Sequence, residues 1–288
     1  MYWDLPESPL APRLCRKICD ELVEIKILFL SLRAGSPAAG QGCMDILDAL
    51  KGRSIGISIT VSDPDMAVSI LGRAEGASLK TLLAEAASLD AVRSVIGHKC
   101  WEGEENPPFG ISFEVTQDNF HEIPEVISCC VQGGVRDLVF PIQRLETGED
   151  VFSMSGKDRE ELSRALGGLD RRRLRLTIHD PFLWEVFFPD IDYHEGGCQA
   201  ANSMLYISPS FKVWPCPAMP LELGGLRETT LRDVVLSGKK KQVRDSLLRP
   251  PGECTGCDRS GKCLGGCRGR AYAMTGSLNR SDPACSVS

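Results

Sequence analysis

Cys254, Cys257, Cys263 and Cys267 fall in the pattern C-x2-C-x5-C-x3-C, and Cys285 follows in Asp282-Pro283-Ala284-Cys285. Thiolates so closely spaced can converge on a metal centre. The surrounding glycines, Gly252, Gly256, Gly261, Gly265 and Gly266, admit the tight positive-φ turns that convergence requires. Upstream, Cys198 and Cys216 bracket a segment that reads as a hairpin, with Met204 to Ile207 passing through Ser208-Pro209-Ser210 into Lys212 to Trp214. Seven cysteines thus lie in the final 91 residues, one short of the eight thiolates that two four-iron clusters use. That count argues against a single site. A closely spaced run need not close on itself, because in two-cluster ferredoxins the fourth cysteine ligates the other cluster. Zinc is the main alternative, since four-cysteine tetrahedral sites also use C-x2-C pairs. Disulfides fit less well, because no secretory segment is evident.

The run from Cys198 to Cys216, the Cys254 to Cys267 loop and the Asp-Pro-Ala-Cys285 ending together resemble the SPASM domain. This is the C-terminal extension of radical S-adenosylmethionine enzymes that mature peptides and proteins. The resemblance covers about residues 181 to 288 and implies two 4Fe-4S clusters. Cys254, Cys257, Cys263 and Cys285 would hold one, and Cys198, Cys216 and Cys267 the other. The second set is one ligand short, and Asp192, His194 and Glu195 are candidates for the open corner; otherwise it faces water or a substrate thiol. One departure stands out: Phe211 replaces the family's glycine five residues before the second cysteine, so the hairpin turn is expected to differ in backbone conformation.

The elements that must position these residues read as α/β. After an extended entry marked by Pro6, Pro9 and Pro12, Leu14 to Val23 has a weak helical pattern. Ile25 to Leu32 is a nearly continuous apolar run, suited to a strand buried on both faces. Residues 33 to 42 read as a loop, and Cys43 to Leu50 as a helix. Ser54 to Val61, Val92 to Ile96, Gly110 to Val115, Asp137 to Ile142 and Leu174 to Ile178 read as further strands. Leu79 to Ala87, His121 to Val131 and Lys157 to Leu166 read as helices, and Asp63-Pro64 as a turn and helix entry. Alternation of this kind builds a doubly wound sheet or a partial barrel. With the C-terminal resemblance, the expectation is a partial (βα)6 TIM-type barrel over residues 1–180, followed by a small cysteine-rich domain over 181–288. The aromatic stretch Pro181 to Asp192 would dock the two. Beyond Cys216, a helix capped by Thr229 or Thr230 would present Leu231, Val234, Val235, Val243 and Leu247 as one stripe.

Two features of the radical enzymes are missing from the barrel half. Their catalytic cluster sits in a C-x3-C-x2-C loop after the first barrel strand, where this chain offers only Cys43. Cys15 and Cys19 have the first spacing, but they precede the strand and the third position is Leu22; they read as small buried residues. The place of the Gly-Gly-Glu that grips the methionine amine reads Val61-Ser-Asp-Pro-Asp65. S-adenosylmethionine binding is therefore not expected, and there is no P-loop or dinucleotide fingerprint. His98, His121 and His179 are isolated, and Cys129-Cys130 reads as half core and half filler.

The chain has 288 residues, 42% of them apolar, and a net charge of −6, which argues against nucleic-acid binding. The runs Arg171 to Arg173 and Lys239 to Lys241 read as solvated edges. No apolar run approaches the roughly 18 residues of a membrane span, so cytoplasmic residence is expected. An intact cluster domain on a degenerate core is similar to the SPASM-domain companions of the GeoRSP peptide-maturation systems. That resemblance implies an accessory iron-sulfur protein with a radical enzyme and a precursor peptide as partners, acting by electron transfer or substrate docking. Two other readings stay open: an enzyme with an atypical site gathered from Cys15, Cys19 and Cys43, and a zinc-stabilised binding scaffold.

Overall fold

Alternating buried and half-buried positions over Phe29–Ala34 place Leu30, Leu32 and Ala34 under helices, while Ser31 and Arg33 face the other way. Gly56–Val61 and Phe109–Phe113 are instead buried almost throughout, as strands covered on both faces are. In the computed structural model, which describes residues 1–98, 109–148, 151–170, 172–191, 193 and 197–285, the elements of the first part follow in this order. They are β1 (Tyr2–Asp4), α1 (Pro12–Glu24), β2 (Phe29–Ala34), α2 (Pro37–Leu50), β3 (Gly56–Val61), α3 (Pro64–Arg73), β4 (Leu79–Ala86), α4 (Leu89–Gly97), β5 (Phe109–Phe113), α5 (Ile123–Gln132), β6 (Asp137–Phe140), α6 (Gly156–Leu166) and β7 (Arg175–Ile178). Strands β2 to β7 are parallel and lie side by side in chain order. A sheet that never reverses its order curls as a partial barrel, which is the expected (βα)6 architecture.

The second part carries α7 (Pro181–Phe187), the short strands β8 (Tyr206–Ile207), β9 (Lys212–Trp214) and β10 (Gly224–Gly225), and the helices α8 (Leu231–Leu236), α9 (Gly238–Leu247), α10 (Ser260–Cys263) and α11 (Arg268–Thr275). Its strands extend the barrel sheet through β1, which pairs in parallel with β2 on one side and with β8 on the other. One apolar core accordingly runs from Trp3 through α1, α2 and α3 into Ile207, Val213, Leu231 and Ala273. A second core fills the space between β4 to β7 and helices α4 to α7. Polar ties reinforce the first: Glu21 on α1 accepts from the Leu231 amide at 2.6 Å, and Lys17 donates to the carbonyls of Leu226 and Thr229 at 2.9 and 3.0 Å.

Several expectations need correction. Leu79–Ala86 is a strand and Leu89–Gly97 a helix, the reverse of the reading from sequence. Leu-Lys-Thr-Leu-Leu-Ala-Glu-Ala is rich in good helix formers, but pairing with both β3 and β5 overrides that propensity. Ser88 then caps α4 by accepting from the Ala91 amide. The helix after β2 begins at Pro37 instead of Cys43, with Ser36 as its cap, so most of the supposed loop is helical. Tyr2–Asp4 is a strand within the segment taken as an extended entry. The stripe after Thr230 is broken into α8 and α9 at Ser237, which caps the second.

Phe211 also departs from expectation. Its φ is +65°, so the turn keeps the left-handed conformation that glycine would supply. A side chain there costs roughly 1–2 kcal/mol. Burial of the ring offsets it: Phe211 is 4% exposed, and the Arg227 guanidinium lies 4.9 Å from its centroid. Phe211→Gly should therefore destabilise the protein, since losing a buried phenyl costs about 3–5 kcal/mol against the strain relieved. Urea unfolding of the two proteins reads the sign; a glycine variant more stable than wild type would show that strain dominates.

Candidate iron-sulfur centre

Three successive left-handed residues, Leu264 at +49°, Gly265 at +92° and Gly266 at +71°, separate Cys263 from Cys267. They reverse the chain between the two cysteines of this C-x3-C pair. Gly266 has a second reason to be glycine: a Cβ would lie 2.6 Å from that of Asp282. The turn also aims the amides of Gly265 and Gly266 at the Cys263 sulfur, an N–H concavity of the sort that holds anions.

Cys254, Cys257, Cys263 and Cys285 line one small cavity of about 30 Å³, walled by Phe182 and Arg259. Burial raises the Cys254 thiol, and the nearby thiols of Cys263, Cys285 and Cys257 push it further. Cys198, Cys216 and Cys267 line a larger adjoining cavity of about 390 Å³, together with Tyr193, Ala218 and Cys263, which with Arg259 and Gly266 lines both. Burial pushes the Cys267 thiol up to about 12 and Cys216 well above its ordinary value, with the neighbouring thiols of Cys198 and Cys267 adding to the shift at Cys216. Backbone amides point at these sulfurs too: those of Ala218 and Met219 at Cys216, of Ala200 and Arg268 at Cys198, and of Arg270 at Cys267. Asp192, His194 and Glu195 lie outside the described residues. Among the described residues, no three His, Cys, Asp or Glu side chains converge closely enough to hold a single metal ion, and the described cysteines are all unbridged.

Charge around the thiols opposes the overall sign of the chain. Arg259 stands near Cys257 and Cys263, Arg244 donates to the Cys198 carbonyl, Arg268 is within electrostatic reach of Cys198 and Cys254, and Arg270 is within reach of Cys267. Arg270 is 2% exposed and is held by Asp282 at 2.8 Å through two bonds, by Asp180 at 2.6 Å and by the Phe152 carbonyl at 2.9 Å. Asp282 in turn accepts from the Cys267 amide at 2.7 Å and the Ala284 amide at 3.0 Å. It thereby ties a thiol of the larger cavity to the segment that delivers Cys285 to the smaller one. None of these arginines is singled out by a motif. The one sequence signal is the Arg268-Gly269-Arg270 run directly after Cys267.

α7 carries the docking role expected of its stretch. Glu185 pairs with Arg259, and Phe182 sits under the guanidinium of Arg159, 4.5 Å from the ring centroid. Arg159 also donates to the Ala284 carbonyl at 2.6 Å, so α6 and α7 together hold the cysteine loops.

The barrel presents a different picture. Cys43 is fully buried on α2, where burial raises its thiol. Cys15 and Cys19 are buried on α1, as expected, hydrogen-bonded to each other; among the described residues they form no metal-holding group with Cys43. Cys130 is buried and Cys129 half-buried. The concave face of the sheet carries two carboxylate-guanidinium pairs, Arg33 with Glu85 and Arg144 with Asp4, each with one contact at 2.9 Å. Tyr206 adds a hydroxyl to Asp4 at 3.2 Å. No helix among the described residues is long and apolar enough to cross a membrane.

No family model matches the chain. Among curated proteins it is 27% identical over 191 residues to a PqqA peptide cyclase of Granulibacter bethesdensis, covering 63% of this chain and 50% of that protein. It thus spans about half the length of that relative. A PqqA peptide cyclase of a Methylobacterium species is 24% identical over 300 residues, covering 95% of this chain and 77% of its own length. An AdoMet-dependent heme synthase of Nitratidesulfovibrio vulgaris is 25% identical over 232 residues, 70% and 62% of the two chains. Among solved structures, anSMEcpe with bound AdoMet superposes with a TM-score of 0.69 at 14% identity, over 99% of this chain and 90% of the other. SuiB of Streptococcus suis gives 0.67 at 16%, over 99% and 76%. The chain is thus similar in sequence to PqqA peptide cyclases and AdoMet-dependent heme synthases, and it shares the fold of anSMEcpe and SuiB.

Proposed function

We propose that the chain is an accessory iron-sulfur protein of peptide modification, working beside a separate radical SAM enzyme. The observation that carries this reading is the contrast between the two parts. Seven cysteines face two cavities under buried arginines and amide donors. The end of β2, by contrast, leads straight into a capped helix whose one cysteine is buried. Cys254, Cys257, Cys263 and Cys285 would hold one four-iron cluster, and Cys198, Cys216 and Cys267 the other. The donor set fits in its chemistry: thiols are the ligands that iron-sulfur clusters take, and N–H groups and guanidinium charge complement a cluster's negative charge. When bound, such clusters supply one-electron transfer. The chain's own contribution is to exclude water, fix the thiols through Asp282 and the left-handed turn, and set the local charge.

A precursor peptide as partner is supported by the SuiB structure solved with its precursor peptide SuiA, a fold neighbour with a TM-score of 0.68. The larger cavity, which Tyr193 and Cys198 line, is where a peptide side chain would approach the cluster held by Cys198, Cys216 and Cys267. A second reading, in which this chain itself acts on AdoMet, draws on the neighbour solved with AdoMet bound.

Anaerobic reconstitution separates these readings. We expect about eight iron and eight sulfide per chain and no 5′-deoxyadenosine above a protein-free control after chemical reduction. Turnover of AdoMet would move the chain to the enzymes. Stoichiometric zinc, with no visible absorption, would leave a binding scaffold.

A further inference from the structure

Arg268 is 1% exposed and stands at the start of α11, immediately after Cys267. Its guanidinium donates to the carbonyls of Arg249 at 2.9 Å, Leu264 at 3.3 Å and Leu278, which fixes it inside the cysteine loop. Its Nε–H is buried with no acceptor. Among the described residues no carboxylate pairs with it; Asp180 and Asp282, the carboxylates buried nearby, are both taken by Arg270. A buried cation bonded only to neutral carbonyls is costly unless an anion is close by. The groups whose charge it feels are Cys198 and Cys254, one from each cavity, and its own amide donates to the Cys198 sulfur.

We propose that Arg268 is the shared counter-cation of the two cysteine sites, its free Nε–H donating to a ligand sulfur once the sites are loaded, so that one side chain raises the reduction potential of both. The proposal rests on the iron-sulfur reading above. Reduction adds an electron, and with it negative charge, at each site. A fixed positive charge in a low-dielectric interior favours the reduced form of both, whereas a charge near one site alone favours only that one. Arg244, whose contact is with Cys198, supplies the comparison on one side.

The test is an EPR-monitored redox titration of the full chain, reconstituted without oxygen, as wild type, Arg268→Gln, Arg268→Lys and Arg244→Gln. Arg268→Gln should shift the reduction equilibrium of both sites toward the oxidised form. The expected shift is roughly tenfold, about 59 mV for one electron. Arg268→Lys, which keeps the charge, should lie near wild type, and Arg244→Gln should move one site at most. A loaded Arg268→Gln with both potentials unchanged, or with only one moved, overturns the proposal. A second measurement does not depend on the variants loading. Wild type grown with arginine labelled by nitrogen-15 in the guanidino group should show a weak nitrogen coupling in the pulsed EPR of the reduced protein. Its absence overturns the hydrogen bond. Wild-type protein that takes up no iron overturns the cluster reading and this proposal together.

Discussion

Asp282→Ala is expected to cost about 3–5 kcal/mol of stability and to release iron from both cysteine sites. The carboxylate is 1% exposed and receives four bonds: two from Arg270, one from the Cys267 amide and one from the Ala284 amide. Its removal leaves Arg270 buried with Asp180 as its remaining carboxylate. An incompletely compensated buried charge is expensive, because desolvation has already been suffered and the Coulomb partner is gone. The same loss unties Cys267 from the Asp-Pro-Ala-Cys segment, which explains why a single substitution should affect both cavities. Thermal melting and iron per chain, measured on the same preparations, check this. A variant with wild-type melting and full iron would show that Asp282 is not the tie.

Cys285→Ala and Cys267→Ala should remove different clusters. Cys285 shares its cavity with Cys254, Cys257 and Cys263, and Cys267 shares the other with Cys198 and Cys216. Each variant should thus lose about half of the iron, roughly four atoms per chain, and keep the EPR signal that the other loses. Cys254→Ala should reproduce the Cys285→Ala spectrum. If Cys267→Ala instead reproduces Cys254→Ala, the C-x3-C pair closes on one centre and the crossed assignment fails.

How far these results could be anticipated differs from element to element. Strands such as Gly110 to Val115 and Asp137 to Ile142 were legible because they are short, apolar and bounded by turn residues; β6 falls within the second span, and β5 overlaps the first but starts and ends earlier. The exchange at β4 and α4 was not legible. Leu79–Ala86 has no strong β-propensity of its own, and its conformation is set by hydrogen bonds from two neighbouring strands that are distant in sequence. The start of α2 was signalled by Ser36-Pro37, a cap followed by a first-turn proline, yet the small residues after it disguised the helix. At Phe211 the composition of the turn misled, since burial of an aromatic ring can hold a left-handed backbone that local preference disfavours.

By itself the sequence determined the cysteine spacing, the absence of a three-cysteine run after the first barrel strand and the alternation that makes an α/β sheet, because each is a property of neighbouring residues. Which thiols share a cavity is a different matter. It depends on the reversal at Leu264 to Gly266 and on the bonds of Asp282 to Arg270 and Cys267. Likewise, that Arg268 lies buried within electrostatic reach of Cys198 and Cys254, and that β1 joins the barrel sheet to the hairpin of the cysteine-rich part, follow from contacts between distant segments. Only the tertiary structure decided these, because no local pattern encodes where a charge will be left when water is excluded around it.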